Sequence, residues 1–298
     1  MTDPHYRSGF ISIIGRPNVG KSTLMNAMMG MKMAIVTPKA QTTRNVMRCI
    51  LTRGQYQMVF IDTPGIHKPK NKLGEHMFNA ARGTFSEVDA VLFLVDAEAG
   101  IGSGDRFVAE MLTGIGTPVL VAVNKIDALT QEELRFAMAS ASELAPGSNV
   151  FAISALKGTG LSALEDALAE CLPEGPQYYP DDTITDQPER VIVAEIIREK
   201  TLLYLREEIP HGIGVTVDRM EEREDKPLIH IEATIYCEKK SHKSIVIGKG
   251  GSMLRNIGTA ARTDIQALLG CQIFLELWVK IRPDWRDNPR DLKMLGYE

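Results

Sequence analysis

Three short stretches hold residue types that can handle a nucleoside triphosphate. "GRPNVGKS", Gly15–Ser22, follows an apolar run and fits G-x-x-x-x-G-K-[ST]. Its glycines let backbone N–H groups curl around phosphate oxygens, and the helix it would open adds positive potential. Lys21 would reach the β- and γ-phosphates, and the Ser22 hydroxyl would ligate Mg²⁺. "NKID", Asn124–Asp127, names the base. An aspartate carboxylate accepts from N1–H and the 2-amino group of guanine together, whereas adenine would leave it unpaired. Asn124 would brace base and loop, the Lys125 stem would cover the ring, and "SALK", Ser154–Lys157, would place the Ala155 N–H on the guanine O6.

"DTPG", Asp62–Gly65, ends another apolar run. Asp62 would hold the Mg²⁺ water shell and the Gly65 N–H would report the γ-phosphate. Before it lies "PKAQTTRN", Pro38–Asn45, whose Thr43, in preference to Thr42, would complete the Mg²⁺ coordination. Two loops ordered by one phosphate make a switch. In many GTP hydrolases a glutamine just after the second loop orients the attacking water. This chain has Ile66 there, which neither donates nor accepts. His67 and Arg44 are rival local sources of the missing polarity.

The expected nucleotide contacts are therefore Gly15, Arg16, Pro17, Asn18, Val19, Gly20, Lys21, Ser22 and Thr23 from the first loop. Asp62, Thr63, Pro64, Gly65 and Ile66 supply the phosphate-sensing turn, and Asn124, Lys125, Asp127, Ser154, Ala155 and Leu156 surround the base. Metal contact falls to Ser22, Thr43 and Asp62, with Lys21, Thr43, Asp62 and Gly65 serving the chemistry.

The elements that must carry these loops alternate. Phe10–Ile14, Met58–Asp62, Ala90–Asp96, Pro118–Asn124 and Val150–Ser154 are apolar throughout, as strands covered on both faces are. Glu132–Leu144 and Leu161–Leu172 have helical spacing. Such alternation predicts an α/β domain with a mostly parallel, doubly wound sheet. A strand near Asn45–Thr52 meets the next across Arg53–Tyr56, which reads as an antiparallel pair. The methionines of the first helix (Met25, Met28, Met29) read as core packing.

Residues 1–172 form this domain, and 173–189, within the proline-rich and aperiodic stretch Leu172–Arg190, form a linker. Residues 190–298 read as a smaller α+β domain: helix Arg190–Glu208, strands Gly214–Glu222 and Leu228–Cys237, a glycine turn, helix Ser252–Leu269 and strand Cys271–Lys280. Lys239–Arg262 carries six Lys or Arg and no acid, inside a chain of net charge −4. That local excess marks a nucleic-acid surface. At its centre Gly248–Gly251 is a G-x-x-G turn that lets a backbone approach closely. Lys243, Lys249 and Arg255 would meet phosphates. Ile245, Ile247 and Leu254 would line a groove for bases, with Gly248, Gly250 and Gly251 forming its lip.

The four cysteines are widely spaced and read as reduced thiols. No basic-then-apolar leader and no long apolar run is seen, which predicts a cytosolic protein.

"GRPNVGKSTLMNAMMG", "QTTR", "DTPGIH", "NKID" and "SALKGTG" resemble the Era group of translation-factor-related P-loop GTPases. The element order around the glycine turn resembles a KH domain of the bacterial type. "YYPDD", "REEIPHGIGV" and a tail with "DW…LGY" carry the resemblance over essentially the whole length. It implies hydrolysis without the glutamine, with K⁺ taking an arginine finger's place and Asn18 matching its ligand. It further implies an RNA partner and not DNA, namely the 3′ end of small-subunit ribosomal RNA, and a role in assembling that subunit. Weak peripheral association with the inner face of the membrane is also attributed to the group, though the sequence shows no amphipathic anchor. The expectation is a slow GTP/GDP switch with Mg²⁺ joined to an RNA-binding domain. The rivals are an RNA binder whose nucleotide site is structural and a GTPase serving RNA modification.

Overall fold

The computed structural model describes residues 5–37, 44–66, 69, 71–85, 87–205, 212–223 and 227–297. Two compact units divide the chain, the first ending at Asp186 and the second running from Gln187 to Glu298.

The first unit holds strands β1 (Arg7–Ile14), β2 (Met47–Thr52), β3 (Tyr56–Asp62), β4 (Ala90–Asp96), β5 (Val119–Asn124) and β6 (Asn149–Ala152) in one sheet, order β2-β3-β1-β4-β5-β6. All neighbouring pairs are parallel except β2 with β3, which is antiparallel as read from the short Arg53–Tyr56 turn. Every residue of β4 is buried, which is why its sequence shows no alternation. Helices α1 (Lys21–Met29), α2 (Lys72–Gly83), α3 (Ser103–Leu112), α4 (Gln131–Leu144) and α5 (Leu161–Cys171) cover the two faces. Two apolar clusters result, one on each side of the sheet. Met25 and Met28 lie in the first of them, with Met29 packed against it.

Because β1 lies between β3 and β4, the chain leaves its C-terminal end at a point where the strand order reverses. Ligands of open α/β sheets sit at such a point. The stretch read as linker packs on this unit over its first part. Ser8 N–H donates to the Pro173 carbonyl, Gln57 Oε1 accepts from the N–H groups of Tyr178 and Tyr179, and Ile50 N–H donates to the Ile184 carbonyl.

The second unit is built from α6 (Glu189–Tyr204), β7 (Gly214–Glu222), β8 (Leu228–Cys237), α7 (Lys240–Ile247), α8 (Ser252–Leu269), β9 (Gln272–Ile281) and α9 (Pro289–Met294). β7 pairs antiparallel and β9 parallel with β8, and the apolar sides of α6 and α8 close one core over this sheet. Helix α7 corrects the sequence reading, which had only an apolar stretch before the glycine turn. The tail contributes to the fold: Trp285 is fully buried, donates from Nε1 to the Gly212 carbonyl at 2.9 Å and stacks on Tyr297. Among the described residues no helix is long and apolar enough to cross a membrane, and all four cysteines are free thiols.

Candidate functional site

The loop Gly15–Ser22 joins β1 to α1, and its side chains are braced from three directions. Asn124, at the end of β5, donates from Nδ2 to the Val19 carbonyl at 2.9 Å and accepts at Oδ1 from the Ala155 N–H at 2.9 Å. One side chain thus ties the phosphate loop to both base-side loops. Arg16 donates from Nε to Asp105 Oδ1 at 2.7 Å and from Nη2 to the Gly100 carbonyl at 3.0 Å. Asp105 is fully buried and also accepts from the Gly102 N–H, so the first turn of α3 anchors the loop's second residue. The third brace is Gly65, where a Cβ would come within 2.7 Å of the Pro17 backbone. Only glycine lets the two phosphate loops approach this closely.

Lys21 is buried, its Nζ donating to the carbonyls of Gly15 and Arg16 at 3.3 and 3.1 Å. Burial lowers its pKa to about 8, against the opposing pull of Asp62. Ser22 Oγ donates to Asp62 Oδ2 at 3.1 Å, and both residues are buried. Two hard oxygen donors at that separation beside a phosphate loop fit an octahedral Mg²⁺. Thr43, the third oxygen expected, lies outside the described residues, as does His67.

Asn18 takes a left-handed conformation (φ 66°) and is exposed on the outer rim of the loop. Thr63 and Pro64 are buried, and Thr63 donates to the Ile13 carbonyl at 2.8 Å, so their side chains serve β1 and the turn. Ile66 is 1% exposed and lies in the apolar cluster between the sheet and its helices, while its N–H donates to the Gly15 carbonyl. The residue that replaces glutamine is thus a core residue. Arg44, the other rival, is buried.

Around the base pocket Asp127 Oδ1 accepts from Ser154 Oγ at 2.5 Å, which aims the carboxylate. Lys125 is left-handed (φ 67°) and its ammonium meets Asp96 Oδ2 at 2.6 Å, which turns its stem along the pocket wall. Leu156 is 73% exposed, and the Ala155 N–H assigned to O6 is here engaged by Asn124. Sequence reasoning missed Asp96 and Asp105, whose partners stand 29 and 89 residues away. The buried aspartate closing β4 was the one visible signal for Asp96.

In the second unit the glycine turn joins α7 to α8. Gly248 combines φ 72° with ψ 174°, and a Cβ there would lie 2.7 Å from that of Met253. Beyond the turn a cavity of about 350 Å³ opens between α8 and β9, lined by Gly251, Leu254, Arg255, Gly258, Thr259, Arg262, Leu275 and Leu277. It brings together Gly251, Leu254 and Arg255 of the expected set. Lys249 and Gly250 are exposed on the turn. Ile245, 46% exposed, and Ile247, packed toward the core, do not line the cavity, nor does Lys243 on α7. Its far wall comes from β9, which the basic stretch does not include. On the open face of the sheet His230 Nε2 meets Glu276 at 2.8 Å and Glu232 at 3.7 Å, and Arg219 already pairs with Glu232.

Comparison with known proteins matches both halves. A family described as 50S ribosome-binding GTPase matches residues 10–125, and one described as KH domain matches residues 208–286. GTPase Era of Alkaliphilus metalliredigens is 55% identical over 98% of this chain and 99% of its own, and that of Caldanaerobacter subterraneus is 53% identical over 98% of each. A crystal structure of Era in complex with MgGDPNP and nucleotides 1506–1542 of 16S ribosomal RNA superposes at TM-score 0.96, with 37% identity over 98% of this chain and 99% of that one. A single-substitution variant of Aquifex aeolicus Era bound to GDP·AlF4⁻ gives 0.94 at 36% identity, with the same coverage of both chains.

Proposed function

The chain belongs to the Era family of GTPases, and from that membership we propose a GTP-operated switch that grips the 3′ end of small-subunit ribosomal RNA during assembly of the subunit. Residues 1–172 bind and hydrolyse GTP, 173–189 connect, and 190–298 bind the RNA. The observation that carries the reading is the presence on one chain of a braced phosphate loop, with Asp127 aimed for guanine beside it, and a basic glycine turn next to a cavity walled by leucines and arginines.

The geometry supports the following division of work. Lys21 swings from its loop carbonyls onto the β- and γ-phosphates, and Asn124 keeps the loop and base pocket in register. Asp127 receives the two guanine donors. Ser22 and Asp62, with Thr43, would hold Mg²⁺, which when bound neutralises charge on the β- and γ-phosphates. The Gly65 N–H meets the γ-phosphate. The attacking water is placed without a side chain from Ile66, which the core retains, so the unassisted rate is low, roughly 10⁻⁴ to 10⁻² per second.

Asn18, which is exposed, would ligate K⁺, and that ion when bound would offset negative charge near the β–γ bridge. Hydrolysis measured in KCl and in NaCl at equal ionic strength, with Asn18→Ala alongside, tests this. Rates about tenfold higher in KCl, lost in the variant, are expected; equal rates in the two salts would remove potassium from the mechanism.

In the second unit Lys249, Arg255 and Arg262 meet phosphates, and bases enter the cavity walled by Leu254, Leu275 and Leu277. We place this work in the cytoplasm; sedimentation with anionic vesicles would read the peripheral membrane contact that the family resemblance implies. The test of the switch is affinity for a single-stranded oligonucleotide from the 3′ end of small-subunit ribosomal RNA, with GDPNP and with GDP. Tighter binding with GDPNP gives the coupling free energy directly. Equal affinity would leave two uncoupled modules.

A further inference from the structure

Helix α4 is poorly covered for a helix that flanks a central sheet. Of its fourteen residues only Ala141 is buried, and Phe136 at its middle is 76% exposed. A cavity of about 500 Å³ lies between α3 and α4, and one of about 450 Å³ continues it between α4 and the loop that leads from β4 into α3. They meet at Ile101, Phe136 and Ser140, which line both. Leu129 and Ala137 extend the apolar floor at one end, and Leu144 extends it at the other. The result is one continuous groove along a helix of about 20 Å, at 1.5 Å per residue.

Its rim is acidic. Glu98 and Glu132 border one cavity, Glu110 and Glu143 the other, and Arg106 is the only basic residue lining either among the described residues. An apolar floor with a carboxylate border fits a helix with one apolar face and flanking Lys or Arg. The same charges oppose the approach of an RNA strand.

The groove's inner wall also belongs to the nucleotide machinery. Asp96 and Gly100 line it, and they hold Lys125 and Arg16 respectively, at 2.6 and 3.0 Å. An occupant pressing on residues 96–101 therefore acts on the base cover and the phosphate loop together.

The geometry points to the α3–α4 groove as a docking site for a Lys/Arg-rich amphipathic helix of a protein partner, whose binding alters nucleotide release. The probe is a synthetic eighteen-residue helix with leucines on one face and lysines on the other. Its binding to the full chain loaded with fluorescent GDP is followed by anisotropy, together with GDP dissociation. A scrambled peptide of the same composition, with no apolar face, is the control.

The wild-type chain should bind the amphipathic peptide at least tenfold more tightly than the scrambled one and release GDP at least threefold faster or slower when it is bound. Phe136→Ser and the pair Glu110→Lys with Glu143→Lys should each weaken the peptide tenfold, with GDP affinity in its absence unchanged as evidence of an intact fold. Equal binding of both peptides, a Phe136→Ser variant that binds like wild type, or a GDP release rate untouched by saturating peptide overturns the inference. So does a sedimentation coefficient that rises with concentration and loses the rise in Phe136→Ser, since the occupant would then be a second copy of the chain.

Discussion

Gly15–Ser22 and Gly248–Gly251 are both glycine-rich loops that lead into a helix and are proposed to meet phosphates, yet they are built in opposite ways. The first is enclosed: Lys21 and Ser22 are buried, and Asn124 from β5 and Asp105 from α3, which holds Arg16, fasten the loop from distant elements. The second projects, with Lys249 and Gly250 exposed and the backbone itself supplying the shape. A mononucleotide must be surrounded for its terminal phosphate to be read and attacked, which calls for preorganised groups in low dielectric. An RNA strand must slide in from the side, so its loop stays open and relies on shape and screened charge. Damage to the two loops should therefore differ in size and in its response to salt and pH.

The largest effect belongs to the enclosed site. Asp127→Asn removes the acceptor of two guanine donors and places an amide against N1–H and the 2-amino group. GTP affinity should fall on the order of 10³-fold, and xanthosine triphosphate should gain, because its base presents an oxygen where guanine has the amine. Competition binding with the two nucleotides measures it, and an unchanged preference would overturn the base assignment.

At the open loop the vulnerable feature is backbone. Gly248 occupies a φ, ψ combination that is essentially restricted to glycine, and its missing Cβ leaves room for Met253. Gly248→Ala should cost about 1–3 kcal/mol, read as a roughly 5- to 150-fold loss of RNA affinity or as a lower melting temperature of the second unit. GTP binding should not change. A variant that binds RNA normally would show that the turn's shape is not what the RNA meets.

These two residues also mark what could be read from the chain before its fold. Motifs that act through local backbone at a strand end, such as Gly15–Ser22, Asp62–Gly65 and Asn124–Asp127, announce themselves because their chemistry is contiguous. Asp105 does not, since its meaning comes from Arg16 across 89 residues of sequence. Helix α7 was hidden because Ile245, Val246 and Ile247 are β-branched, which favours an extended reading; packing of Val246 into the core overrides that preference. The cavity proposed for RNA was half visible, its α8 wall lying in the basic stretch and its β9 wall, Leu275 and Leu277, lying beyond the end of that stretch. Ile66 could be read only as an absence; the fold shows what it does, which is to fill the core.

The enclosed loop should also respond to pH. Burial holds the Lys21 ammonium near a pKa of about 8 in the free protein. Nucleotide phosphates favour its charged form, so its pKa is higher in the complex than in the free chain. The sign follows: above pH 8 binding must take up a proton, and affinity falls by up to tenfold per pH unit until the complex itself titrates. Below pH 8 the lysine is already charged and the curve is flat. GDP affinity between about pH 6.5 and 9.5, with calorimetry in buffers of different ionisation enthalpy, reads both. Affinity constant across that range would mean that Lys21 is not the group that receives the phosphates.

The smallest effect separates the two designs most clearly. Lys249 is exposed, and the phosphate proposed to meet it would do so in water of high dielectric, so Lys249→Ala should weaken RNA only about two- to fivefold and equally for all sequences. Its signature is the salt slope. The six basic residues of Lys239–Arg262 allow log K against log [KCl] no steeper than about −4, at roughly −0.7 for each phosphate neutralised on a single strand. Removing Lys249 should make the slope shallower by about 0.7. At the enclosed site Lys21 is screened by protein and should not follow this law. A flat response in the wild-type chain would make the basic stretch a solvated face, and the apolar cavity alone would then have to hold the RNA.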